Sequence, residues 1–287
     1  MATMGQPSLA EVVGLLEAAY NPRWAQAWDA VGLVCGDPAA AIERVLFAVD
    51  PVDAVLDEAL EWGADLIVTH HPLLLKAVHG VAADTFKGRA VHRLITGGCA
   101  LFTAHTNADV ADPGVSDALA AALGLSVTGP ILPMADHANL GLGRFGTLPE
   151  SESLRDFADR VAAALPATAA GVRVAGDPEQ PVRLVAVCGG AGDDRELLAA
   201  VRAAGADAYV TADLRHHPAG EAREADPHTA LVDVAHWASE WPWLPAAAER
   251  LTADVSANYT GRDTVETRVS TTVTDPWTLH TPMNRPQ

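Results

Sequence analysis

Cysteine is scarce in this chain, at three in 287 residues. Cys35, Cys99 and Cys188 are odd in number, far apart, and each lies in or beside an apolar run. That excludes a disulfide framework and a CxxC zinc site, and predicts reduced, structural thiols. Basic residues are also few: 19 Lys and Arg stand against 37 Asp and Glu, a net charge of −18. A surface so acidic argues against nucleic acid and against anionic membranes as partners. No segment approaches the ~20 consecutive apolar residues needed to span a bilayer. The N-terminus has no charged region followed by an apolar one, so no signal peptide is expected and the expected location is the cytoplasm. No GxSxG motif occurs and no cysteine has an obvious base partner, which leaves covalent nucleophilic catalysis without support. The turn at Gly189–Gly192 lacks a full GxGxxG and a P-loop lysine, and reads as a tight turn rather than a phosphate cradle.

What the chain does have is 49% hydrophobic residues, enough for one large core or two smaller ones. It also has eleven histidines, many of them at the ends of predicted strands. The organising stretch is DLIVTHHP, Asp65 to Pro72. An apolar run of this kind suits a strand buried on both faces of an α/β sheet. Pro72 forbids its regular continuation, so His70 and His71 fall where strand gives way to loop, the place where open α/β sheets bind ligands. Successive side chains on extended backbone point to opposite sides. One ion would struggle to collect both imidazoles, whereas two neighbouring ions could take one each. Taken alone, the dipeptide reads more simply as a pair of surface histidines at a loop entrance, and the rest of the chain decides between the two.

Around this stretch the patterning predicts an α/β fold. A capping box at Ser8 and Glu11 opens a helix. Arg44–Val49 reads as a strand, Pro51–Trp62 as a helix closed by Gly63, residues 85–95 as a helix, and Cys99–Ala104 as a strand running into HTNAD (His105–Asp109). Ser116–Leu123 reads as a helix, Gly141–Leu148 as a strand, and 154–165 as a helix capped by Ser153. Arg183–Val187 reads as a strand, Asp193–Ala204 as a helix, Ala230–Val234 as a strand entering AHWASE, and Val265–Val273 as a last strand. From Arg44 the order is strand, helix, GADLIVT, helix, strand, HTNAD; from Arg183 it is strand, helix, GADAYVT, helix, strand, HWASE. The match predicts an internal duplication. Two related α/β lobes, residues 8–128 and 129–275, would leave a polar cleft between them, with residues 276–287 as a C-terminal tail.

His236 and Glu240 are spaced i, i+4, so a helical turn at HWASE would put both on one face to chelate an ion. His105 and Asp109 have the same spacing. With His70 and His71 they form a pool of imidazole and carboxylate donors without thiolate, which suits Zn, Mn, Fe, Co or Ni. A carboxylate reaching two ions, each held by its own histidine, would make a dinuclear centre of the kind that activates water and clamps phosphate oxygens. His105 is equally well read as a group that only hydrogen-bonds its loop or supports a ligand. His216 and His217 form a second HH before a proline, but in the aligned repeat the first HH falls against Ala212-Asp213, so a helix-start or cleft-rim role is favoured. His79, His92, His137, His228 and His280 read as solvated or capping. Trp237, Trp241 and Trp243 read as core or as a pocket wall, and Lys76, Arg144 and Arg215 are the cations available to line a cleft.

In order along the chain, WDAVGL at Trp28, THHP at Thr69, HTNAD at His105, GLGRFG at Gly141, TADLRHH at Thr211 and HWASE at His236 resemble the Nif-three-like family. Its members often carry the label GTP cyclohydrolase 1 type 2 homologue. The resemblance runs from Ser8 to Trp277. It implies two divalent ions between two related lobes, with His70, His71, Asp109, His236 and Glu240 as ligands and Glu240 bridging. It also implies a toroidal homo-oligomer, commonly a hexamer. Ala30 stands where the family usually has Asn, and the large insertion domain of some members has no room here. The expected activity is metal-dependent hydrolysis of a nucleotide or other phosphate-containing small molecule by activated water, with His105 or His217 shuttling protons. A second class of function stands beside it: a metal-binding chaperone, regulator or scaffold without turnover.

Overall fold

The computed structural model describes residues 5–259 and 264–282. It is a mixed α/β fold with several sheets, and the chain divides into two compact units. The first is built from residues up to Ala111 together with Trp243–Thr274; the second takes Asp112–Pro242 and the residues from Asp275 on. These boundaries differ from the contiguous lobes expected at 8–128 and 129–275. Burial explains the change, because segments go where their apolar faces are covered, whatever their place in the sequence. Of the expected tail, residues 283–287 lie outside the described residues.

In the first unit the helices are α1 (Leu9–Ala19), α2 (Asp53–Trp62), α3 (Phe86–Gly97) and α4 (Thr106–Val110). The strands are β1 (Gly32–Cys35), β2 (Arg44–Ala48), β3 (Leu66–Thr69) and β4 (Ala100–Thr103). The capping box of Ser8 and Glu11 opens α1 as expected, and Gly63 closes α2 in the left-handed conformation at φ 74°. Leu66, Ile67 and Val68 are all 0% exposed, the two-sided burial that a continuous apolar strand requires; each such side chain contributes ~1.5–3 kcal/mol on burial.

The second unit begins with α5 (Val115–Ala122), which buries Leu119 and Ala120 against Val185 and Val210. Then come β5 (Ser126–Gly129), β6 (Leu132–Met134), β7 (His137–Leu142), β8 (Arg144–Ser153), α6 (Leu154–Ala164) and β9 (Arg173–Ala175). They are followed by β10 (Pro181–Ala191), α7 (Arg195–Ala203), β11 (Ala208–Ala212), α8 (His216–Ala225), β12 (Ala230–Val234) and α9 (His236–Glu240). The main sheet runs β5-β8-β10-β11-β12-β9, with β10, β11 and β12 parallel. The strand expected over Gly141–Leu148 breaks in two at Gly143, which sits at φ 63°. A Cβ there would lie 2.5 Å from Ile131 Cδ1, so glycine permits both the turn and the contact. β7 then pairs with β6 in a separate hairpin, while β8 joins the main sheet. β10, expected to stop at Val187, runs on through the glycines to Ala191 with a register slip against β11.

The chain rejoins the first unit with α10 (Trp243–Asn258), which packs on α1, and β13 (Glu266–Val269), which adds in parallel to β2. The first sheet is then ordered β1-β4-β3-β2-β13, with only β1 antiparallel. No helix among the described residues is long and apolar enough to cross a membrane.

Candidate metal centre

Parallel strands end on the same edge of a sheet, and in the first unit that edge carries the histidines. β3 stops at Thr69, and His70 and His71 follow in a bend. Their backbone amides still donate to Ala48 O and Val49 O, at 3.2 and 2.8 Å. Because the regular strand has ended, the alternation expected to point the two rings apart does not apply. Their centroids lie 5.1 Å apart. His105, at the end of neighbouring β4, brings its ring to 5.1 Å from His70 and 5.5 Å from His71. One ring nitrogen from each of the three lies within 4.8 Å of the others. His105 is thus part of the cluster.

α4 begins immediately after His105 and carries Asp109 one turn on. Asp109 Oδ1 lies 3.7 Å from Nε2 of His70. That is beyond hydrogen-bond distance, but it suits two donors flanking one ion with bonds of ~2.0–2.2 Å. Trp243 stacks edge-on against His70 at 5.6 Å and donates from Nε1 to Tyr20 OH at 3.2 Å, walling the buried side of the ring.

In the second unit, β12 leads into α9, and the helical turn puts His236 Nε2 3.0 Å from Glu240 Oε1. His236 Nδ1 meets Asp213 Oδ2 at 2.7 Å, so the ring has a carboxylate beside each nitrogen. Asp213 follows β11 and holds the left-handed conformation at φ 56°, uncommon for a residue with a Cβ. When the motifs GADLIVTHH and GADAYVTAD are aligned it stands opposite His71, and it orients a histidine. The Glu240 side chain is only 3% exposed. Room for it is made by Gly190, at φ 70°, where a Cβ would stand 2.5 Å from Glu240 Oε1 and 3.2 Å from His236 Nε2. The Gly189–Gly192 stretch is therefore neither a phosphate cradle nor a simple turn. Up to Ala191 it is strand backbone, bare at Gly190 where a carboxylate lies against it.

A common pattern joins the four histidines. Each directs Nδ1 at an oxygen acceptor: Ala104 O for His70 at 2.9 Å, Asp50 for His71 at 2.7 Å, Asp29 for His105 at 2.8 Å, and Asp213 for His236 at 2.7 Å. A carbonyl can only accept, and an ionised carboxylate likewise. Nδ1 therefore carries the hydrogen, and in the neutral ring Nε2 carries the lone pair. Sequence reasoning missed these supports, although Asp29 lies inside WDAVGL. Asp29 accepts from His105, from the Thr106 amide and hydroxyl, and from the Ala30 amide. It thus caps α4 and fixes His105 together. Burial works to raise the Asp29 carboxyl pKa, but the hydrogen bonds from His105 and Thr106 outweigh it and hold the group well below the usual carboxylate range. The donor set, imidazoles presenting Nε2 beside carboxylates without thiolate, fits a divalent transition metal.

Other expected groups lie elsewhere. His217 lines a groove of about 890 Å³ between α7 and α8, and among the described residues no hydrogen bond or ion pair joins it to His236 or Glu240. His79, His92, His137, His228 and His280 are exposed. Arg144 does not line a cleft; it is buried at 1% exposure.

A model of the Duf34/NIF3 (NGG1p interacting factor 3) family matches residues 7–276. The chain belongs to that family. A Streptomyces coelicolor relative named "GTP cyclohydrolase 1 type 2 homolog" is 55% identical over 276 residues, covering 96% of this chain and 95% of the relative. A Mycobacterium tuberculosis relative of the same name is 40% identical, covering 97% of this chain and 99% of its own length. Among solved structures, a Bacillus cereus protein related to NIF3 superposes with TM-score 0.83 at 25% identity, covering 96% of this chain and all of that one. The Duf34/NIF3 assignment agrees with the resemblance carried by the six motifs.

Proposed function

We propose that the two sets of ligands serve one dinuclear centre, with His70, His71, Asp109, His236 and Glu240 as ligands and Glu240 bridging. The observation that carries the reading is the Nδ1 pattern: His70, His71, His105 and His236 are all held so that Nε2 presents a lone pair. The matching order of elements from β2 to α4 and from β10 to α9 supports the duplication that would supply one ligand set from each unit. His236 and Glu240 alone are two donors, short of the four or more that a divalent ion takes.

The proposed activity is hydrolysis of a nucleotide or another phosphate-containing small molecule. Two bound divalent ions would supply Lewis-acid activation of water and neutralise charge on the phosphate oxygens. The chain's own part is to orient the ligands and move a proton. Asp29 holds the Nδ1 hydrogen of His105, which leaves Nε2 to accept a proton from water and return it to a leaving group. His105 rather than His217 is given this role because its ring stands among the ligand histidines. The homohexamer implied by the family resemblance belongs to the same proposal.

Metal content of wild-type protein and of His71→Ala and Glu240→Gln, measured by elemental analysis after dialysis, tests the assignment. About two ions per chain in the wild type and fewer in each variant are expected; equal content in all three defeats it. One observation favours the non-catalytic reading as the alternative. Arg144 and Arg215, the arginines expected to line a cleft for a triphosphate, are each engaged by a carboxylate, Asp117 and Asp193. Turnover of GTP or a simple phosphodiester with Mn²⁺ or Zn²⁺ supports the enzyme; stoichiometric metal with no turnover supports the chaperone, regulator or scaffold.

A further inference from the structure

The strand order of the first sheet places β13 beside β2, β2 beside β3 and β3 beside β4. Their shared edge carries, in that order, the segment after β13, Asp50, the His70–His71 pair and His105. The segment after β13 reads S-T-T-V-T, Ser270 to Thr274. Ser270 Oγ donates to Glu58 Oε2 at 2.6 Å, Thr272 Oγ1 to the same oxygen at 3.0 Å, and Thr274 Oγ1 to Asp50 Oδ2. Every second residue thus sends a hydroxyl to the same side, as extended backbone demands. Thr271 and Val273 face away and are exposed. The result is a strap fastened to two carboxylates of the first unit, the second of which also accepts the Nδ1 hydrogen of His71 at 2.7 Å.

We propose that Asp50 is a positioning residue for His71, and that Thr274 at the end of the strap is a positioning residue for Asp50. Asp50 divides its two oxygens between these partners, Oδ1 to His71 and Oδ2 to Thr274. A carboxylate bound on one side only rotates about its last torsion, and the histidine it orients turns with it. Held on both sides, it fixes the ring plane and keeps the lone pair of Nε2 on the sheet edge. Outer partners of this kind also raise the basicity of the ring they support. The strap thereby makes residues some two hundred positions from His71 in the chain part of its support. This inference rests on the reading of His71 as a metal ligand.

The test uses the full chain with Co²⁺ and Zn²⁺ alone, affinity being read by competition with a chromophoric chelator. Asp50→Asn should weaken Zn²⁺ binding ~10- to 100-fold and alter the visible spectrum of the Co²⁺ form. Thr274→Val should weaken it ~3- to 10-fold, the worth of one hydrogen bond, and Thr274→Ser, which keeps the hydroxyl, should restore it. Thr272→Val loosens the same strap without touching Asp50 and should bind as the wild type does. Nitrogen-15 spectra of the metal-free protein should show His71 as the Nδ1–H tautomer in the wild type and a mixture in Asp50→Asn. Wild-type affinity and spectrum in Asp50→Asn, or equal losses in Thr272→Val and Thr274→Val, overturn the proposal. A wild type that binds no metal defeats the metal-centre reading instead, and the His71 tautomer then still decides whether Asp50 orients the ring.

Discussion

Asp29 accepts the Nδ1 hydrogen of His105 at 2.8 Å across 76 residues of sequence. The same carboxylate takes the amide and hydroxyl of Thr106 and the amide of Ala30, so one acidic side chain ties the loop of WDAVGL to the start of HTNAD. Its side chain is 0% exposed. A buried carboxylate is tolerated only with its lone pairs filled, and here four donors fill them.

Asp29→Asn should therefore destabilise the protein by about 1–3 kcal/mol, since an amide cannot accept from all four donors. The effect should depend on pH. The folded carboxyl titrates well below its ordinary value, so its contribution is present above the unfolded pKa of ~3.9 and is lost as pH falls from there towards the depressed folded value. Urea midpoints of the two proteins should converge as pH drops below ~4. A constant gap from pH 7 to pH 3 would mean that the ionised form of Asp29 is not what the fold holds.

Gly190 yields the second prediction. Its φ of 70° and the 2.5 Å separation between a Cβ at this position and Glu240 Oε1 combine backbone strain with a clash at a proposed ligand. Gly190→Ala should cost ~1–3 kcal/mol of stability and displace Glu240. Gly220→Ala, on α8 with nothing within 4 Å of its Cβ position, should be neutral or stabilising by up to ~1 kcal/mol. Thermal melts check the first half and elemental analysis the second. Full metal content in a folded Gly190→Ala protein would remove the glycine from the proposed centre.

Local signals in the sequence carried much of this structure, and long-range ones did not. The apolar run closed by HHP marks the end of β3, Gly63 marks the end of α2, and the i, i+4 spacing of HWASE marks the turn that joins His236 to Glu240. These are short-range effects of side-chain periodicity and backbone freedom. The supporting carboxylates were hidden because Asp29, Asp50 and Asp213 lie 76, 21 and 23 residues from the histidines they hold. Nothing in a loop aspartate's neighbours tells which ring it will meet. The return of α10 and β13 to the first unit was hidden for the same reason: an amphipathic helix reveals its apolar face but not what covers it. The expected separation of His70 and His71 failed on one residue, since alternation holds only while the strand lasts and β3 ends at Thr69.

Arg144, in the GLGRFG motif, supplies the last prediction. Its guanidinium is bidentate to Asp117, with Nε to Oδ1 at 2.8 Å and Nη2 to Oδ2 at 2.8 Å, while Nη1 donates to Gly141 O at 2.7 Å and Gly143 O at 2.8 Å. Asp117 Oδ2 also accepts from the Gly114 amide at the start of α5. The motif is therefore a structural clasp between α5 and the turn at Gly143. Arg144→Ala leaves a half-buried carboxylate and two carbonyls without their cation and should cost ~3–5 kcal/mol. Arg144→Lys keeps the charge but loses the planar fork, and should fall between that variant and the wild type. Pairing Arg144→Ala with Asp117→Ala should cost clearly less than the sum of the two single changes, because the second change removes the stranded charge. Urea denaturation at unchanged m-value measures all of these. A ligand-binding arginine would instead leave stability intact and alter only turnover or affinity, and that result for Arg144→Ala would move the residue out of the clasp and into the site.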